Sequence, residues 1–252
     1  PIPGILRFQW MKELAARAHV LHVTDENPSE PTQDHPRFWD IWIETIRRVL
    51  PAGPDVVFTG EPYGKELARR LGAEHVMVDR TRSAFHVSAT EIRDRPLAQW
   101  RFLPPPVRPY FAKRVVVSGS ESTGKTMLAR NLAQRYQTVW VPESARGYLD
   151  AKPSPLDASD IGPIAKGQLA SEEAISRGAN RVVILDTDLL STEIYATHYY
   201  GHCPVWIRVA AGEKSADLYL LCDIDVPWVP IRSGIVRISG AGLRESHPHD
   251  VR

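Results

Sequence analysis

Short runs of β-branched and aliphatic residues alternate along the chain with longer stretches whose apolar positions recur at helical spacing. Residues 55–60 (DVVFTG), 74–79 (EHVMVD), 114–119 (RVVVSG), 138–143 (TVWVPE), 181–188 (RVVILDTD) and 217–225 (DLYLLCDID) read as strands, as does 18–26 (AHVLHVTDE). Between them, 38–50 sets Trp39, Trp42, Ile43, Ile46 and Leu50 on one helix face. Residues 64–72 read as a helix stopped by Gly72, 125–136 as a second, and 162–179 as mostly helical. Strands that alternate with helices predict an α/β architecture built on parallel sheets. The alternation breaks at 95–114, where Pro104, Pro105 and Pro106 forbid a regular helix. The pattern therefore predicts two domains, 1–110 and 111–252, each large enough to hold its own core.

Composition narrows the class. With 43% hydrophobic and 24% charged residues, the chain can build a core without disulfides or structural metal. Its net charge of +1 gives no field that would draw it to nucleic acid or a membrane surface, so neither is an expected partner. Cys203 and Cys222 have no metal-ligand spacing and make no disulfide framework, which suits a reducing cytoplasm. No apolar run approaches the roughly 18 residues of a bilayer span. The first ten residues lack the basic start and apolar stretch of a signal peptide.

The most specific chemistry lies at Gly119-Ser120-Glu121-Ser122-Thr123-Gly124-Lys125-Thr126, a full G-x-x-x-x-G-K-[ST] pattern between a strand and a helix. Gly119 and Gly124 let the backbone turn so that its N–H groups converge on phosphate oxygens. The helix that follows adds its positive end. Lys125 is placed to reach the β- and γ-phosphates of ATP, and Thr126 to offer its hydroxyl to Mg²⁺.

Carboxylates at the ends of neighbouring strands complete the expectation. Asp186 and Asp188 close one strand, where ligands of parallel sheets bind, and Asp186 is a candidate Mg²⁺ holder. Glu143 closes another, with Arg146 three residues on. A kinase needs a carboxylate to orient the acceptor hydroxyl or take its proton, and Glu143, Asp186 and Asp188 are the candidates. A helix cap or turn is the alternative role for each Asp, and a solvated loop acid for Glu143. No D-x-x-G or N-K-x-D motif occurs, which argues against a GTPase. The residues after the loop leave little room for the modules of an oligomeric motor ATPase.

Together, GSESTGKT, VPESARGYL, LDTD and DLYLLCDIDVPWV resemble the ribosylnicotinamide kinase half of the bifunctional NadR-type enzymes of NAD synthesis. HPRFWDIW and HVSATEIRDRPLAQWRFLPPPVRPYFAKR resemble the adenylyltransferase half, so the likeness covers nearly all of 1–229. The resemblance implies a Rossmann-like nucleotidyltransferase domain followed by a P-loop kinase domain. The second would phosphorylate nicotinamide riboside with ATP and Mg²⁺, using Glu143, Arg146 and Asp188 toward the riboside. The first would join the resulting mononucleotide (NMN) to the AMP part of ATP, giving NAD and pyrophosphate. Residues 88–93 match the family's S-x-T-x-I-R signature, which implies that Ser88, Thr90 and Arg93 hold phosphates. Trp39 and Trp42 resemble its aromatic wall for the nicotinamide ring, and Tyr148, Tyr195 or Tyr199 could stack likewise in the kinase half. A homo-oligomer is compatible with this reading.

The chain departs from the pattern at two places. It has no H-x-G-H motif; the resemblance puts that motif, with the family's first strand and following helix, ahead of Pro1. After Val229 it runs directly into PIRSGIVRISGAGLRE, where family members have a lid stretch; 235–245 resembles their last strand and helix start. Arg232 has no assigned role, and His247 and His249 make no metal site. The rival reading is a P-loop kinase of another nucleoside or small alcohol with a degenerate first domain. A DNA-binding regulator fits poorly, since the chain has no helix-turn-helix and no basic surplus.

Overall fold

The structure is a computed structural model that describes residues 2–24, 27–28, 36–152 and 154–224. Asp225, Arg232, the expected strand and helix start over 235–245, and His247 and His249 lie outside the described residues. Two compact units are present, 1–95 and 96–252.

The first unit contains α1 (Gly4–Leu14), α2 (Phe38–Val49), β1 (Val56–Thr59), α3 (Gly64–Leu71), β2 (Glu74–Met77) and α4 (Ala89–Asp94). β1 and β2 pair in parallel, Val56 against Glu74 through Thr59 against Met77. The connection runs through α3, whose first residue has no room for a side chain: a Cβ on Gly64 would fall 1.9 Å from Thr59 Oγ1. Gly72 ends α3 in the left-handed conformation at φ 77°, as its position after the last apolar residue predicts. The expected strand over 18–26 does not form. Residues 19–24 have no regular structure, and 25–26 lie outside the described residues. Alternation supplies one face of a strand, but a strand also needs a ladder partner. α1 has no buried residue and no apolar face to announce it.

The second unit contains α5 (Arg108–Phe111), β3 (Lys113–Gly119), α6 (Lys125–Arg135), β4 (Val139–Val141), α7 (Ser144–Ala151), α8 (Ile161–Ser176), β5 (Val182–Asp186), α9 (Leu189–Tyr200), α10 (Val205–Glu213) and β6 (Leu218–Cys222). The sheet order is β4-β5-β3-β6, with every pairing parallel. Val116 and Val117 are both fully buried, so β3 is covered on both faces, the condition that makes its sequence continuously apolar rather than alternating. On one side α6 sets Ala129 and Ala133 against Val117 and Ile184. A second cluster, Ile161, Ala165, Leu189, Ala196, Ile207 and Ala211, joins α8, α9 and α10. The chain leaves β3 for β4 on one side and returns to β6 on the other. The C-terminal end of β3 is thus a topological switch point, where parallel sheets bind ligands.

The break between units falls at residue 95, earlier than the proline-based boundary near 110. Residues 96–112 pack into the second unit. Buried Trp100 donates its indole N–H to the Ala179 carbonyl at 3.0 Å, Arg181 donates to the Leu97 carbonyl at 2.8 Å, and Leu103 and Ala112 are buried. Pro105 and Pro106 lie in a tight 3₁₀ turn, Pro105–Val107, preceded by extended Pro104, not in a linker.

Replacing Trp100 should therefore weaken the second unit. Trp100→Ala is expected to cost about 3–5 kcal/mol, and Trp100→Phe, which loses the hydrogen bond and part of the ring volume, about 1–3 kcal/mol. Denaturant midpoints at unchanged m-value are the measurement.

Candidate active site

The phosphate loop forms as expected between β3 and α6. Gly119 sits at φ 146°, and a Cβ there would lie 2.6 Å from the Cys222 carbonyl oxygen of neighbouring β6. Gly124 stands at φ 82° as the residue before α6, and Ser122 is also at positive φ, 62°. Lys125 Nζ donates across the loop to the Ser120 carbonyl at 2.7 Å, and Thr123 Oγ1 donates to the same oxygen at 2.8 Å. Ser122, Thr123, Gly124, Lys125 and Thr126 line a cleft of about 340 Å³ with Met127, Arg130, Asn131 and Arg146. Three cationic side chains, Lys125, Arg130 and Arg146, thus border a concave anion site.

Beneath the loop, Thr126 Oγ1 donates to Asp186 Oδ2 at 2.5 Å. Asp186 is 1% exposed, and its Oδ1 is buried without a hydrogen-bond partner. A buried carboxylate oxygen is costly to leave unpaired, so the arrangement suits a cation. Among the described residues no group of three or more His, Cys, Asp or Glu side chains could hold a metal. Two protein oxygens with the rest supplied by phosphates and water is how Mg²⁺ is usually held.

Asp188 is engaged differently. Its Oδ1 accepts from Ser191 N at 3.0 Å and Ser191 Oγ at 3.3 Å, capping α9, while Oδ2 accepts from the Tyr219 hydroxyl at 2.8 Å. It is 4% exposed and does not line either cleft. Of the alternatives the sequence left open for the two aspartates, the cap is the role seen at Asp188. Between them Thr187 adopts φ 66°, unusual for a β-branched residue, and lines a second cavity.

That cavity, of about 60 Å³ and partly open to solvent, is walled by Leu156, Ile161, Ile164, Tyr195, Tyr199 and Tyr200, with Glu143, Gln168, Thr187 and Ser191 as its polar residues. Tyr195 and Tyr199 stack with rings parallel to 4° and centroids 6.1 Å apart. Burial, and after it the charge of Glu143, raises the Tyr195 pKa. Tyr148 instead donates to Asp160 Oδ1 at 2.8 Å and is not part of the wall. Glu143 pairs with Arg146 at 3.7 Å. Burial pushes the Glu143 carboxyl above the usual carboxylate range; the Asp186 and Glu121 charges add to this, and Lys125 and Arg146 oppose it.

In the first unit, Ser88 caps α4 in a reciprocal capping box: its Oγ accepts from Glu91 N at 3.1 Å, and its N–H donates to Glu91 Oε2 at 2.7 Å. Arg93 is exposed and donates to Thr90 Oγ1 at 3.2 Å. Trp39 meets Phe38 edge-on and carries the Arg70 guanidinium 5.4 Å above its ring. Trp42 donates its indole N–H to the Pro28 carbonyl at 3.0 Å. Sequence reasoning missed Arg130, Gln168 and Thr187. Arg130 lies five residues after Lys125 in the same helix, a signal that was available; the other two carried none.

The loop, the switch-point sheet and the Thr126–Asp186 contact define a P-loop α/β protein. The chain belongs to the AAA_28 family, described as "AAA domain", over residues 114–244. It is homologous to the trifunctional NAD biosynthesis/regulator protein NadR of Escherichia coli K12, 30% identical over 217 residues that make up 83% of this chain and 52% of that protein. The Salmonella typhimurium protein of the same name matches at the same identity and coverage. The chain thus spans about half the length of these curated relatives. Among solved structures it is similar to NadR protein in complex with NR, with a TM-score of 0.68 and 26% identity over 87% of this chain and 65% of that one. It is also similar to NadR protein in complex with NAD and AMP-PNP, with a TM-score of 0.64 and 26% identity over 85% of this chain and 66% of that one. The resemblance read from the loop and strand-end motifs is therefore borne out. Among the described residues no helix is long and apolar enough to cross a membrane.

Asp188→Ala should lower stability by about 1–3 kcal/mol, because the α9 cap is lost and the Tyr219 hydroxyl loses its acceptor. Tyr219→Phe should cost about 1 kcal/mol. Urea titration of the two variants and of their combination checks both figures.

Proposed function

We propose that this chain acts in NAD biosynthesis and that its second unit is an ATP- and Mg²⁺-dependent kinase converting nicotinamide riboside to NMN. One observation carries the reading. Glu143 lines the tyrosine-walled cavity while its ion-pair partner Arg146 lines the phosphate-loop cleft, so one short pair spans the two places a kinase must bring together. The relatives support it: one solved NadR holds NR, and another holds NAD and AMP-PNP.

On this reading the loop amides and Lys125 bind the β- and γ-phosphates of ATP. Thr126 and Asp186 would hold Mg²⁺, which neutralises charge on those phosphates when bound. The flat ring of the acceptor lies against Tyr195 and Tyr199. Glu143 takes the proton of the attacking hydroxyl, a task its raised pKa suits, because a more basic carboxylate is the better acceptor. Arg146 balances the charge that develops beside it. Asp188 acts indirectly, by capping the helix that presents both tyrosines.

The first unit, on the same reading, is the Rossmann-like nucleotidyltransferase half that adenylylates NMN. Trp39 and Trp42 face the nicotinamide ring, and Ser88, Thr90 and Arg93 sit at the phosphates. Exposed Arg93 has donors to spare for an anion. The serine's cap is already made within α4, so its contribution would come through the helix start.

Purified protein supplied with ATP, Mg²⁺ and nicotinamide riboside should form NMN, and Lys125→Ala should lose about 100-fold or more in kcat. Preference for thymidine or shikimate in the same assay would favour the rival kinase reading. Because the Glu143 carboxyl is raised, kcat/KM should climb as pH rises through a value above the ordinary Glu pKa of about 4.3. That limb should vanish in Glu143→Gln. NAD and pyrophosphate formation from NMN and ATP, weakened by Arg93→Ala, tests the first unit.

A further inference from the structure

From the contacts behind the tyrosine-walled cavity, we infer that Gln168 is a positioning residue that sets Glu143 for proton transfer by holding the start of α7. The inference rests on the kinase reading above.

Glu143 is the residue before α7, yet its carboxylate makes no capping bond to that helix. The first N–H groups of a helix have no internal partner, and a short side chain such as Ser, Asp or Asn at this position ordinarily accepts one. Here the first of them, Ser144 N–H, instead donates to Gln168 Oε1 at 3.1 Å. That N–H belongs to the peptide group that begins at the Glu143 carbonyl. A bond there fixes the backbone from which the Glu143 side chain springs and leaves the carboxylate free.

Gln168 is itself held. It is 3% exposed, and its Nε2 donates to Glu172 Oε1 at 3.3 Å. Glu172 is 2% exposed, and its Oε2 accepts from Arg114 at 3.0 Å. Arg114 lies in β3, the strand that leads into the phosphate loop. The polar chain therefore runs from that strand, through α8, to the residue that would take the proton. It also explains the residue type. Ser144 N–H can only donate and the Glu172 carboxylate only accepts, so the side chain between them needs one acceptor and one donor. Glutamine supplies both and has only one orientation here; leucine offers neither, and glutamate would set two carboxylates together in a buried site.

The test is a double-mutant cycle between Gln168 and Glu143, read by single-turnover phosphoryl transfer with ATP affinity measured in parallel. Gln168→Leu should lower the rate about tenfold or more, as displaced catalytic groups do, with the ATP Kd changed by less than roughly twofold. In a Glu143→Gln background the same substitution should change the residual rate by less than roughly twofold. A merely structural glutamine would cost the same factor in both backgrounds, and that result would overturn the inference. So would a wild-type rate in Gln168→Leu. Gln168→Met, unbranched and of similar length, replaces the leucine variant if that variant folds poorly. Glu143→Gln with an undiminished rate would instead sink the kinase's base assignment itself.

Discussion

Everything at this site depends on β3 and β5 being nearest neighbours in register. Val117 pairs with Asp186, and Thr187 N–H donates to the Val117 carbonyl at 3.1 Å. The aspartate therefore emerges level with the start of the loop, close enough for Thr126 to reach it across 2.5 Å. A strand inserted between the two would add about 4.8 Å and break that contact. The other neighbour, β6, sets a second limit, since its Cys222 carbonyl leaves space at position 119 for hydrogen only. The loop is thus shaped by the sheet on both sides as much as by its own glycines.

Three carboxylates stand near the end of that sheet, and the protein treats each differently. Asp188 accepts three hydrogen bonds and is fully committed to structure. Asp186 uses one oxygen and leaves the other bare and buried. Among the described residues Glu143 has one ion-pair partner, at 3.7 Å, and its proton affinity is raised by burial. On the proposed reading this gradation separates a cap, a cation ligand and a base, although all three residues lie at or just past the end of a strand and look alike in sequence.

This explains what could be read beforehand. β3, its loop and α6 were legible because each level agreed: a continuously apolar strand, glycines where the backbone turns, and an amphipathic helix beyond. Gly72 was legible as a helix stop for the same reason. The tail of the first domain was misjudged because three prolines look like a linker, whereas burial of Trp100 and its bond to Ala179 decide where 96–112 belongs. The 18–26 segment misled because alternation does not reveal whether a partner strand is at hand. Gln168 left no trace because its meaning lies in contacts to Ser144 and Glu172, one of them 24 residues away. Arg114 and Glu172, 58 residues apart, are hidden in the same way.

The pairing of a cationic cleft with an aromatic cavity also bears on how a kinase avoids wasting ATP. A base poised beside the terminal phosphate will activate water as readily as an alcohol unless water is kept away. Glu143 lines the aromatic cavity while its partner Arg146 lines the cationic cleft, and the cavity walls are Leu156, Ile161, Ile164 and three tyrosines. On the proposed reading, an acceptor whose flat ring is seated on Tyr195 and Tyr199 would fill the space water would take and bring its ribose hydroxyl to the carboxylate. The same apolar lining desolvates Glu143 and raises its proton affinity, so water exclusion and basicity have one cause. On that reading, substrate choice and restraint of hydrolysis would be two consequences of one wall, and a substitution that makes the wall polar should weaken both together.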